Sequence, residues 1–215
     1  AIELAFRQQL RTRIVEVAGW SPSPWRPSLL YTRNLVDLPA LLHLLTEEPP
    51  PRWIAADPAL APYALATLAQ RRAALADGPL GPLVSAAEPG TDARRPVEPI
   101  ARVLRRLHAG GALHRLLAAW ERQWRRLWPP IDEDERSALD GVVERVRSHL
   151  LRLPSIPVDE TVAARQALGA RLATAVHRSA SQPAALFAYL ALFAIDLERL
   201  RGEFMLRARP IGGSA

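Results

Sequence analysis

The chain contains no lysine and no cysteine, so all 28 of its basic residues are arginine. Without lysine there is no Schiff-base nucleophile and no phosphate-loop lysine. Without cysteine there are no disulfides, no thiol catalysis and no thiolate metal site. A GC-rich coding sequence is enough to explain the missing lysine, although arginine also suits helix–helix contacts through its planar fork. Aromatic residues are scarce at 6%, no β-branched and aromatic alternation reaches five residues, and Asn-Gly does not occur. These shortages remove the usual marks of strands and hairpins.

What is present is leucine, alanine and proline. The 20 prolines fall between apolar runs and act as punctuation. An apolar share of 49% over 215 residues is sufficient for a sizeable core. The net charge of +6 calls for acidic partners of some kind, whether protein, nucleic acid or anionic lipid. Ala1–Trp20 carries Glu3, Arg7, Arg11, Arg13 and Glu16 and does not read as a secretory leader. The expected location is cytoplasmic, peripheral at the inner face of a membrane if partners hold it there.

Helical periodicity recurs along the chain. Ile2, Phe6, Leu10 and Ile14 form an apolar stripe, with arginines on the other faces. After the proline-rich "GWSPSPWRPS", "LVDLPALLHLLTEEPPP" predicts a short helix capped by Asp37, with Pro39 in its first turn. The next helix is expected to start at Asp57 and Pro58 and to end at Gly78. Residues 79–99 are rich in glycine and proline and read as a linker or mobile loop. Helical pattern resumes from Ile100 to Trp128, bent at Gly110–Gly111. A helix capped by Asp132, with Glu135 as its reciprocal partner, follows, and another begins at Asp159. The last helix spans Pro183 to about Arg207. The reading is an all-α bundle of about seven or eight helices. The parts are an N-terminal 1–78, the linker, and a C-terminal 100–215, either separate or one continuous domain. Two related sub-bundles are one way to arrange them, though no fixed period of 20–50 residues repeats.

Candidates for chemistry are few. His43, His108, His114, His149 and His177 make no HExxH and no i,i+4 pair. The acids Asp132–Glu135 lack the glycine and ligand spacing of a calcium loop and suit a helix start. The glycines form neither a dinucleotide fingerprint nor a phosphate loop, and no serine sits in a nucleophile elbow. The chain is expected to be non-catalytic, with no cofactor and no metal.

Two surfaces remain as partner-binding candidates. "WERQWRRLWPP" places Trp120, Trp124 and Trp128 on one helical face, with Arg122, Arg125 and Arg126 mostly elsewhere. Exposed indoles among arginines would serve nucleic acid by stacking and phosphate contact. Indoles at helical spacing are more often core, and that is the preferred reading. The second surface is the end of "FAYLALFAIDLERLRGEFMLRARP". Its uncharged run, Ser179 to Ile195, is too short for a bilayer span of about 20 residues. Acid–base pairs follow, such as Asp196–Arg199 and Glu203–Arg207, with Glu198 and Arg201 between them.

This last stretch resembles a helix of the C subunit of archaeal-type and bacterial V-type ATPases, related to eukaryotic subunit d. The shared features are Tyr189-Leu190, an acid at Asp196 or Glu198, Leu200-Arg201, and the basic, glycine-containing end from Arg207 to Gly212. "FRQQLRTRI" and "LVDLPALLHLLTEE" resemble two further helices of that family, and the three pieces cover about a third of the chain. The family's subunits are longer, with three related bundles around a funnel, where this chain has room for about two. The resemblance implies an all-helical, non-catalytic socket that couples a central stalk to a membrane ring. Its partners would be other subunits with acidic faces, met through Arg122, Arg125, Arg126, Glu198, Arg201 and Arg207. An accessory subunit of a secretion apparatus is a further alternative.

Overall fold

The computed structural model describes residues 2–87 and 111–207. Those residues are helical, with no strand among them. The helices are α1 (Ile2–Trp20), α2 (Arg26–Tyr31), α3 (Arg33–Leu44), α4 (Arg52–Ala56), α5 (Leu68–Ala76) and α6 (Gly81–Ala87). After the undescribed segment come α7 (Ala112–Arg125), α8 (Glu133–Arg152), α9 (Thr161–Arg178) and α10 (Pro183–Arg207). The short helices α2, α4 and α6 occupy connections that proline content marks as irregular.

Local chemistry explains the clearest boundaries. Asp132 accepts the Glu135 N–H at 2.7 Å, and three acids crowd the first turn of α8, where the helix dipole is positive. Thr67 and Gln70 complete a reciprocal capping box at the start of α5. The predicted caps at Asp37 and Asp57 are corrected. Helix α3 starts at Arg33, so Asp37 lies inside it. Asp57 instead closes α4, and a 3-10 turn at Ala61–Tyr63 separates it from α5. Pro62 cannot donate the N–H that a continuous helix from Pro58 would need. Asp159 likewise sits in a 3-10 turn, and α9 starts after Glu160 without a side-chain cap.

One hydrophobic core draws on both sides of the undescribed segment. Leu29, Leu41, Leu44, Ile54, Leu75 and Leu83 from the first part join Leu116, Leu139, Leu172 and Phe187 from the second. Truncating any of the fully buried leucines to alanine costs about 2–5 kcal/mol. The linker expectation for 79–99 fails over its described part. Leu83 and Val84 of α6 are buried, and α6 packs on α5 and α7. Two leucines and a valine within five residues supply an apolar face that glycine and proline at its start do not disturb. Residues 88–99 lie outside the described residues, as do His108 and Gly110.

Helices α9 and α10 pack along each other, joined by the short turn Ser179–Gln182, and α10 also lies against α8 and α1. The span of α10 matches the predicted one, and Leu197 is the last residue buried among those whose burial is described. Among the described residues no helix is long and apolar enough to cross a membrane.

Candidate functional site

The arginines divide into an inner set and an outer set, and this division locates the candidate site. Arg7 is buried, against the expectation that arginines stay on the outer faces of α1. It donates Nε–H to Asp57 at 3.0 Å, Nη1–H to the Val36 carbonyl at 2.8 Å, and Nη2–H to Asp37. Arg11, one turn later, reaches Asp57 at 2.8 Å and Asp37 at 2.6 Å. Arg7 also lies 4.9 Å from the centroid of the Trp53 ring. Two guanidinium groups and two carboxylates therefore cancel inside the protein and fasten α1 to α3 and α4.

The two acids respond differently. Burial raises the Asp37 pKa, and the charges of Arg11 and Arg7 offset only part of that rise. Burial also pushes Asp57 upward, but hydrogen bonds from Arg11, Arg7 and the Ala59 N–H outweigh it and lower the pKa. Burial disfavours the Arg11 cation, yet its bonds to Asp57 and Asp37 more than compensate.

Arg71 is the largest fully buried side chain and has no carboxylate partner within ion-pair distance among the described residues. Its five donors meet five backbone carbonyls instead. Nε–H binds Leu44 at 3.0 Å, Nη1–H binds Leu65 and Ala66 at 2.9 and 3.1 Å, and Nη2–H binds Thr46 and Glu48 at 2.6 and 3.3 Å. These carbonyls close the end of α3 and the loops around α5. Leu44 is the last residue of α3, whose carbonyl the helix leaves unpaired and where the dipole favours a cation; the other four carbonyls belong to the loops after α3 and before α5. Nothing in "AQRRAAL" distinguishes Arg71 from the exposed Arg72 beside it.

The tryptophan face is core. Trp124 is 2% exposed and donates its indole N–H to the Ser28 carbonyl at 3.0 Å. Trp120 is buried and stacks on Trp124 at 5.1 Å and on Tyr31 at 6.0 Å. Trp128 lies beyond the end of α7, edge-on to Trp124 and near Trp25. Trp120 and Trp124 therefore present no free ring face to a base, which corrects the stacking surface considered for nucleic acid.

The six predicted partner residues fall into two groups. Arg122 and Arg126 are exposed near the end of α7. Arg125 is committed inward, to Glu121 at 2.8 Å, to Asp140, and over the Trp128 ring. Burial opposes the Arg125 cation, but these carboxylates raise its pKa overall. Glu198 and Arg201 pair at 3.0 Å, and Arg201 also bonds Glu3 of α1 at 2.9 Å. Arg207 is 78% exposed, 3.9 Å from Glu203. The predicted Asp196–Arg199 pair does not form. The structure does not join the two groups, because Phe187 is the α10 residue that meets Trp124 and Glu198 lies about 16 Å further along the helix.

Sequence reasoning missed an outer set of cations on α8 and α9. Arg145, Arg171 and Arg178 are exposed and have no ion-pair or hydrogen-bond partner for their side chains among the described residues. Arg122 shares that state. Helix α9 contains no acid at all, a signal the sequence did offer. Where α9 meets α8, burial lowers the His149 pKa, and Arg165 and Arg152 lower it further. Among the described residues no cluster of histidine, aspartate and glutamate could hold a metal ion. No protein-family model, no curated protein and no solved structure matches the chain.

Proposed function

We propose that the protein is a non-catalytic helical connector of a membrane-associated machine, most like the C/d subunit of a rotary V-type ATPase. The observation that carries this reading is the unpaired outer arginine set. Buried Arg71 satisfies every donor it has, whereas Arg122, Arg145, Arg171 and Arg178 stand exposed with no carboxylate in ion-pair reach among the described residues. Cations of that kind on rigid helices suit an acidic protein face, steering its approach and fixing its orientation. The likeness of the first, third and last helical stretches to the C subunit supplies the identity of the machine.

Affinity isolation of the natively expressed protein tests the proposal. Stalk or ring subunits of a rotary ATPase should co-purify, and retention should fall in the Arg171→Glu, Arg178→Glu double variant. Isolation without any such subunit would refute the rotary assignment. A nucleic-acid role would rest on arginine–phosphate contacts alone, and salt-titrated DNA or RNA binding distinguishes it.

A further inference from the structure

The second half of α10 carries a charge order that complements itself. Asp196, Arg199, Glu203 and Arg207 recur at i, i+3, i+7 and i+11 and so share one stripe of the helix, with alternating sign. All four are exposed. Asp196 and Arg199 have no partner among the described residues, and Glu203 and Arg207 touch only each other, at 3.9 Å. Beside the stripe lie Leu200, 39% exposed, and Phe204, 49% exposed. Phe204 has the Phe6 ring 6.2 Å away and stays half exposed. Glu198 and Arg201 are occupied with α1 through Glu3, so the stripe points away from the body of the bundle.

We propose that this half of α10 pairs antiparallel with the same segment of a second copy of the chain, forming an isologous dimer. A two-fold axis passing between Arg201 and Gly202 sets Asp196 against the other copy's Arg207, and Arg199 against its Glu203. Each pairing occurs twice, so all eight charges find an opposite sign. The same axis brings Leu200 of one copy across from Phe204 of the other and covers both exposed apolar side chains. A parallel arrangement would place every charge against its like, which selects the antiparallel one. Exposed ion pairs contribute little each, so they set the register while the leucine–phenylalanine contacts supply affinity. The contact spans about three helical turns, a small interface beside the roughly 800 Å² per partner of a standard one, so a concentration-dependent dimer is expected. This inference goes beyond the connector reading and does not depend on it.

Sedimentation equilibrium of the purified full chain, over about 1 to 100 µM, tests the pairing. The wild type should pass from monomer to dimer across that range. Arg199→Glu and Glu203→Arg should each weaken self-association about tenfold or more, because each sets two like charges face to face. Mixed one to one, the two variants should regain wild-type dimerisation as a heterodimer, since every contact is then opposite in sign. The Arg199→Glu, Glu203→Arg double variant should also dimerise. A wild type that stays monomeric would overturn the proposal, as would single variants that dimerise unchanged or a mixture that remains monomeric. The substituted positions are exposed, and unchanged thermal unfolding of each variant separates lost pairing from lost folding.

Discussion

Replacing Arg71 with methionine should be among the most damaging single changes in the protein. Methionine fills much of the same volume and carries no charge, so the change isolates the guanidinium. Five carbonyls lose their donor, four of them now bonded at 2.6 to 3.1 Å and one at 3.3 Å. The Arg71 side chain and its bond to the Leu44 carbonyl are buried, so water does not replace the donor lost there. A hydrogen bond to a charged group contributes about 1.5–3 kcal/mol, and an orphaned buried acceptor costs about 1–3 kcal/mol. Against this stands the desolvation of a cation with no counter-ion, which is several kcal/mol and is relieved in the variant. Crediting about 1–1.5 kcal/mol net to each of the four good bonds gives a loss of about 4–6 kcal/mol. Stabilities of 5–15 kcal/mol are typical, so a large fraction would go. For a chain of this length the melting temperature should fall by about 10–20 °C, read by circular dichroism or calorimetry. Arg71→Lys keeps the charge but has three donors without the fork, and should recover less than half. A methionine variant melting within about 2 °C of wild type would show that desolvation of the cation cancels its bonds, and would refute the reasoning.

The α1 ion cluster should give a pH dependence whose sign differs between its two acids, measured as urea unfolding at a series of pH values. Asp57, with its lowered pKa, contributes stability above its unfolded value of about 3.9, and loses it as the pH falls through the lower folded value. Asp37, with its raised pKa, binds its proton in the folded state first, so stability rises as the pH drops from the folded value towards the unfolded one. At neutral pH, Asp37→Asn should therefore cost less than Asp57→Asn, whose loss is on the order of 3 kcal/mol from breaking a buried pair. The reverse ranking would contradict this assignment. At the start of α6, a side chain at Gly81 would overlap the Ala76 carbonyl oxygen, a backbone atom that cannot swing aside. Gly81→Ala should destabilise by about 1–3 kcal/mol in the same assay, and a neutral result would mean that the α5–α6 turn is looser than its contacts imply.

Much of the fold is legible in the sequence where a local signal has no competitor. The span of α10 follows from Pro183 and an unbroken apolar run, and the Asp132 cap follows from acids clustered ahead of a helical pattern. The caps at Asp37 and Asp57 were misread because an acid before an apolar stretch looks the same whether it binds its own backbone N–H groups or a distant guanidinium. The site was less legible. "FRQQ" in α1 and "QRR" in α5 give no sign that Arg7 and Arg71 point inward while Arg72 points out. Trp124 was expected in the core, yet its partner Ser28 lies 96 residues away, and no local pattern identifies it.

By itself the sequence determined that this protein is helical, free of lysine and cysteine chemistry, and closed by a final helix that turns from apolar to charged. Helix formation, capping and composition act over a few residues, so one chain read in order carries them. The tertiary structure alone decided which arginines are structure and which are surface. That choice depends on where distant carboxylates and carbonyls come together, since a buried guanidinium persists only where other segments satisfy its donors. Arg7 and Arg71 meet that condition, Arg171 and Arg178 do not, and the surface open to partners is what remains.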